Sequence, residues 1–161
     1  MNSVKIGVIS DTHLNRITDD FLIIHKDFLD EMDIIIHAGD FVSAEVIHFL
    51  ESDKFHGVCG NMDPMEVREL LPNKKEIQCG TFRLGVIHGW GSAEGLEERI
   101  SPEFTNVDAI IYGHSHRPAN HVKNGILYFN PGSMTYSLSG PRTIGVLEVS
   151  DKIRGRITEL K

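Results

Sequence analysis

Five apolar, strand-like runs in this 161-residue chain each hand over to a cluster of Gly, Asp, Asn or His. Residues 4–10 lead into Asp11-Thr12-His13, 33–37 into Gly39-Asp40, and 55–59 into Gly60-Asn61-Met62-Asp63. Residues 82–88 end in His88-Gly89, and 107–112 lead into Gly113-His114-Ser115-His116. Strands of an open α/β sheet bring their carboxyl ends to one edge, so loops of this kind meet there. Carboxylate, imidazole and amide oxygen are all metal ligands.

Each motif alone has a plainer reading. Asp11-Thr12-His13 fits an Asx turn, Gly39-Asp40 a turn or helix cap, and Gly60-Asn61 a turn. Gly113-His114-Ser115-His116 fits the plain reading least, because paired histidines after a buried strand have little packing purpose. Taken together, the five motifs point to a shared metal site. Asp11 and His13 sit two apart, so an extended segment sends both side chains to one face, and His114 and His116 repeat that spacing. Of the nine histidines, His13, His88, His114 and His116 belong to this set. His37, just before Gly39-Asp40, fits a supporting role. His25 and His48 read as partly buried helix positions, and His56 and His121 as surface or strand positions.

The periodicity predicts a helix over 19–31, a Ser43-capped helix to Leu50, and a Ser92-capped helix reaching about Ile100. With the strands at 4–10, 33–37 and 55–59, the opening half is βαβαβ, with parallel pairing. The second half reads as a hairpin (75–78 with 82–88, turning at Cys79-Gly80-Thr81) and strands at 107–112, 126–130, 143–149 and 154–160. These are too many strands for one small sheet, and two sheets packed face to face with helices outside accommodate them. Residues 1–161 read as one domain.

A net charge of −7 argues against a broad surface for long nucleic acid. No apolar stretch approaches membrane-span length and no signal peptide is expected. Two cysteines, Cys59 and Cys79, read as reduced structural thiols, as in a cytoplasmic protein.

The ordered motifs resemble those of the calcineurin-like metallophosphoesterases, and more narrowly their small single-domain bacterial and archaeal phosphodiesterases. The resemblance runs from Val4 to about Val149 and extends to Asn130-Pro131-Gly132-Ser133 and Pro141-Arg142. It implies a four-layer α/β/β/α sandwich of two mixed β-sheets flanked by helices. It implies two divalent ions, manganese foremost, with nickel, iron, cobalt or zinc as alternatives. Asp11, His13 and His116 would hold the first ion, Asn61, His88 and His114 the second, and Asp40 would bridge them. Catalytic roles fall to Asp40, Asn61 and His88. Two such ions outweigh both carboxylates and a hydroxide, leaving a local charge of about +1 in an acidic protein. The expected activity is hydrolysis of a small phosphoester, a diester or a monoester, by a hydroxide that the two ions generate. A homodimer is compatible with this reading. The alternatives are a scaffold for protein partners that kept the fold and lost turnover, and a nuclease, which the net charge disfavours.

Two positions depart from the resemblance. Many relatives carry a histidine after Gly-Asn, where this chain has Met62, and a second histidine after His-Gly, where it has Trp90. Neither can serve as a general acid. Both read either as packing groups or as an apolar site mouth suited to an aryl or nucleobase group. Asp63 reads as an orienting group for its motif.

Overall fold

The computed structural model describes residues 2–161. Its first sheet joins β1 (Val4–Ile9), β2 (Ile34–His37), β3 (Phe55–Gly57), β9 (Thr143–Val149) and β10 (Ile153–Glu159) in the order β10-β9-β1-β2-β3. The second joins β4 (Lys74–Cys79), β5 (Phe82–Ile87), β6 (Ala109–Ile111), β7 (Ala119–Lys123) and β8 (Ile126–Asn130) in the order β4-β5-β6-β8-β7. Strands β1, β2 and β3 run parallel, as do β5, β6 and β8, while β9, β10, β4 and β7 pair antiparallel. Both sheets are therefore mixed.

Side-chain alternation explains the layering. On β1, Ile6 and Val8 turn inward and Ile9 outward; on β2, Ile36 turns inward and Ile35 outward; on β6, Ile111 turns inward and Ile110 outward. The inward set from both sheets forms one buried layer with Leu84, Val86, Phe129 and Leu147. Outside the first sheet lie α1 (Asp19–Ile24), α2 (Glu45–Leu50) and α3 (Met65–Leu70), which bury Phe21, Ile24, Val46, Ile47 and Val67 against it. Outside the second lies α4 (Leu96–Ile100), burying Leu96 and Ile100 against Ile110 and Tyr128. The result is the expected α/β/β/α sandwich.

Several local expectations need correction. The helix expected over 19–31 is α-helical only to Ile24 and continues as a π-helical turn, His25–Leu29, closed by Asp30 N–H donating to His25 O at 2.9 Å. Ser43 does not cap α2. That helix starts at Glu45 behind Ala44, and the Ser43 hydroxyl donates instead to Leu14 O. Ser92 does not cap α4 either: Gly95 precedes it in a left-handed conformation. Strand β3 stops at Gly57, two residues early. Helix α3 and edge strand β7 were not expected. His48 is exposed rather than packed.

Phe129 closes the inner layer, and its ring lies where a Cβ on Gly145 or Gly155 would stand, 2.5 and 2.6 Å away. Those glycines let β9 and β10 pass over the ring. Phe129→Ala should lower unfolding free energy by about 3–5 kcal/mol in urea denaturation, the usual loss for a fully buried aromatic ring.

Candidate functional site

The carboxyl ends of β1, β2, β3, β5 and β6 bring all seven expected donors to one edge of the sandwich. His116 Nε2 lies 3.1 Å and His13 Nε2 3.7 Å from Asp11 Oδ1. Asp40 Oδ2 lies 3.6 Å from His13 Nε2 and 3.3 Å from His88 Nε2. Asn61 Oδ1 stands 3.0 Å from His88 Nε2 and 3.2 Å from His114 Nδ1. Two edge-on imidazole pairs result, His13 with His116 and His88 with His114.

Each carboxylate divides its oxygens between the chain and the centre. Asp11 Oδ2 accepts from Ser10 Oγ at 2.6 Å and from His114 N at 3.3 Å, whereas Asp11 Oδ1 is buried with no hydrogen-bond partner. Asp40 Oδ1 accepts from Met62 N at 2.8 Å, leaving Oδ2 to the imidazoles. His13 Nε2 is likewise buried and without a hydrogen bond. Buried polar atoms rarely go without partners, so aimed, unpartnered donors of N and O type fit divalent cations. Two subsets, Asp11 with His13 and His116, and Asp11 with Asp40 and His88, each draw their donor atoms to within 4.8 Å of one another.

Outer contacts set the imidazoles. His88 Nδ1 meets Ala38 O at 2.7 Å and His114 Nε2 meets Gly91 O at 2.6 Å. A carbonyl accepts only, so those nitrogens carry the protons, and in the neutral rings His88 Nε2 and His114 Nδ1 are the lone pairs that face the centre. His37 lies outside this set. It is fully buried, stacks on Phe41 at 3.5 Å, accepts from Gly39 N and contacts Thr12 Oγ1 at 3.0 Å. Burial pushes its pKa down to about 3, so it stays neutral.

The backbone corrects one expectation. Asp11, His13, Asp40, His114 and His116 all have φ between 47° and 70°, so the paired donors do not lie on extended segments. Left-handed backbone costs an L-residue about 1–2 kcal/mol, and such strain persists only where surroundings over-determine it. Asp63 supplies part of that hold: its carboxylate accepts from Asp40 N, Gly60 N and Val42 N at 3.0, 2.7 and 2.8 Å. Gly60 permits the approach, because a Cβ there would meet Asp40 Oδ1 at 2.2 Å. Asn130 anchors the other side, donating to Gly113 O and Ser115 Oγ, while Ser133 and Thr135 donate their hydroxyls to Asp11 O.

Three supports were not found from the sequence. Ser10 carries no motif signal beyond its hydroxyl. Thr135 lies past the Asn-Pro-Gly-Ser segment. Arg68 sits on the unexpected α3 and reaches back to Asp63 O at 2.9 Å and Gly60 O at 3.0 Å.

A domain model of the calcineurin-like phosphoesterase superfamily matches residues 4–152. The chain belongs to that superfamily. This phosphoesterase is 34% identical over 166 residues to a probable metallophosphoesterase of Methanocaldococcus jannaschii, covering 99% of this chain and 83% of the other. It is 31% identical over 164 residues to a phosphodiesterase of the same archaeon, covering 92% of this chain and 95% of that one. A solved archaeal phosphodiesterase superposes with a TM-score of 0.76 at 26% identity, over 98% of this chain and all 100% of its own. Vacuolar protein sorting 29 from Cryptosporidium parvum superposes with a TM-score of 0.73 at 20% identity, over 99% and 98% of the two chains, and shares the fold.

Electrostatics of the phosphoesterase site favour cations. Burial works against an ionised Asp11, yet His116, His13 and the Ser10 hydroxyl hold it well below the usual carboxylate range. Contact with Asp11 raises His13, and Asp40 with Asp11 raises His88 against the opposing effect of burial. Without a cation, both imidazoles therefore hold protons above their ordinary ~6.5. Those protons must leave when an ion binds. Divalent-ion affinity should rise with pH through and beyond ~6.5, and then level off once both rings are neutral. Calorimetric titration at neutral pH in two buffers of different ionisation enthalpy should detect the released protons. An identical heat in both buffers would contradict this donor set.

Proposed function

We propose that this phosphoesterase is a two-metal phosphodiesterase acting on a small ester. The observation that carries the proposal is the pair of carboxylates, each with one oxygen tied to the chain and the other turned among the imidazoles of His13, His88 and His116. In this reading Asp11, His13 and His116 hold one ion, Asn61, His88 and His114 hold the other, and Asp40 serves both. Manganese is the first candidate on the family resemblance, with nickel, iron, cobalt and zinc compatible with N and O donors. Bound ions supply Lewis acidity and a water acidic enough to ionise near neutral pH.

The chain's own part is to hold these donors rigidly and to control protons. Ala38 O and Gly91 O fix the tautomers of His88 and His114. Ser10 fixes the rotation of the Asp11 carboxylate and Met62 N that of Asp40, while Asp63 holds the Asp40 backbone. No side chain that readily gives up a proton stands at the mouth where relatives carry histidine: Met62 is 60% and Trp90 42% exposed. His37 cannot substitute, being shut away and engaged on both ring nitrogens. The leaving oxygen must then depart as an anion or take its proton from solvent.

The scaffold alternative is less well supported, because every expected donor position is filled and the unpartnered atoms are aimed at a common centre. No helix among the described residues is long and apolar enough to cross a membrane.

Asp40→Asn keeps the side chain's size and removes the charge shared by both ions. It should lower bound metal from about two ions per chain, read by elemental analysis, and should cut kcat by more than the ~10–100-fold typical of losing an outer partner. His37→Gln should stay within that smaller range. Near-normal kcat and metal content in Asp40→Asn would reject the shared role.

The missing acid makes a separate demand. General acid catalysis is worth ~10²–10⁴-fold, so kcat/KM across aryl phosphodiesters should fall steeply as the leaving-group pKa rises. Bis-p-nitrophenyl phosphate should be hydrolysed readily and alkyl esters slowly. A flat dependence, with chemistry limiting, would mean that a proton donor serves the leaving group.

A further inference from the structure

A cavity of about 470 Å³ opens directly beside the donor cluster and shares Asn61 and His88 with it. Cavities of roughly 300–1,000 Å³ with apolar walls and a few polar groups are typical of sites that enclose an organic ligand. Trp90, the chain's one tryptophan, lies on its wall with Ile87.

Trp90 is partly exposed, yet its backbone is held from two sides. Arg99 Nη1 donates to Trp90 O at 2.6 Å and to Ser92 O at 3.0 Å, and the neighbouring Gly91 O receives the His114 Nε2 proton at 2.6 Å. An indole left partly uncovered on a fixed backbone, one residue from a site imidazole's anchor, is a preformed stacking surface. Polar groups line the same cavity. Asn73 accepts from the Cys59 thiol at 3.0 Å through Oδ1, which leaves its NH₂ free to donate, and Glu103 is held by Lys74 at 3.0 Å. A donor and a carboxylate acceptor in one cavity with an aromatic side chain match the edge and face of a nucleobase better than a plain phenyl ring.

We propose that this cavity binds the nucleoside of a nucleotide diester, with the base against Trp90 and its polar edge toward Asn73 and Glu103. This rests on the phosphodiesterase reading and names its substrate class. The nucleoside is the ester group retained on phosphorus. The cavity's own cationic side chains, Arg68 and Lys74, are already donating to Gly60 O, Asp63 O and Glu103. A leaving oxygen without a donor departs instead toward water.

The test compares two esters with the same leaving group, thymidine 5′-(p-nitrophenyl phosphate) and methyl p-nitrophenyl phosphate, on the manganese-reconstituted protein. The nucleoside ester should have the higher kcat/KM. Trp90→Ala should lower its kcat/KM about tenfold, the scale of one base–aromatic stack, mainly through KM, and leave the methyl ester within about twofold. Trp90→Phe should restore most of the preference, and Asn73→Ala should weaken it. Equal kcat/KM for the two esters, or an equal loss on both in Trp90→Ala, would overturn the proposal.

A second measurement does not depend on turnover. Thymidine 5′-monophosphate should quench the emission of Trp90 saturably, and methyl phosphate over the same range should not. If neither ester is hydrolysed while the quench is seen, the phosphodiesterase reading fails and the nucleoside site stands. If the quench is absent or equal for both probes, the site is rejected whatever the activity.

Discussion

Two carboxylates, Asp11 and Asp40, are buried side by side at one edge of the sandwich, and the rest of the site exists to make that tolerable. Burial alone would drive protons onto both. It is opposed by imidazoles on every side, by the Ser10 hydroxyl and by backbone N–H groups. Because the hydrogen bonds are spent on one oxygen of each group, the other stays free to face a cation. Negative charge is thus concentrated at a point with few ways to dissipate it, inside a protein that is already acidic overall.

Holding that arrangement requires backbone that L-residues seldom adopt. Asp11, His13, Asp40, Val42, His114 and His116 all lie in the left-handed region. The compensation is distributed. Asp63 ties the Asp40 loop to the Asn61 loop, Arg68 ties the Asn61 loop to α3, and the 130–135 segment ties Asp11 to the His114 loop. Each loop is braced by another, so no donor is positioned by its own strand alone.

How much of this was legible depended on how strongly each feature is written locally. The seven donors stood out because each follows an apolar run of strand length, and the sandwich followed from counting those runs. Helix α3 did not stand out: its six residues bury Val67 alone. Edge strand β7 is almost wholly exposed after Ala119 and so lacks apolar alternation. The capping errors arose because both helices start later than the hydroxyls suggest: Ser43 donates to Leu14 O and reaches α2 only through a long contact from Glu45 N, and Ser92 accepts from Glu94 N, ahead of α4. The left-handed donors were misread as extended because Asp and His tolerate both conformations, and i, i+2 spacing suits either. Arg68 and Ser10 act through contacts that only the assembled fold creates.

The donors come from both sheets: Asp11, His13, Asp40 and Asn61 follow strands of the first, and His88, His114 and His116 follow strands of the second. A cation held among them would act as a rivet through the layers rather than as a local clip. Neither sheet alone presents a full set, so the ion could not nucleate folding in the way a zinc finger's does. It would bind only the docked sandwich and stabilise it by mass action. Gain and loss of metal would then report on whether the two halves have closed, and a chain with loosened sheets would surrender its ions before it lost its strands.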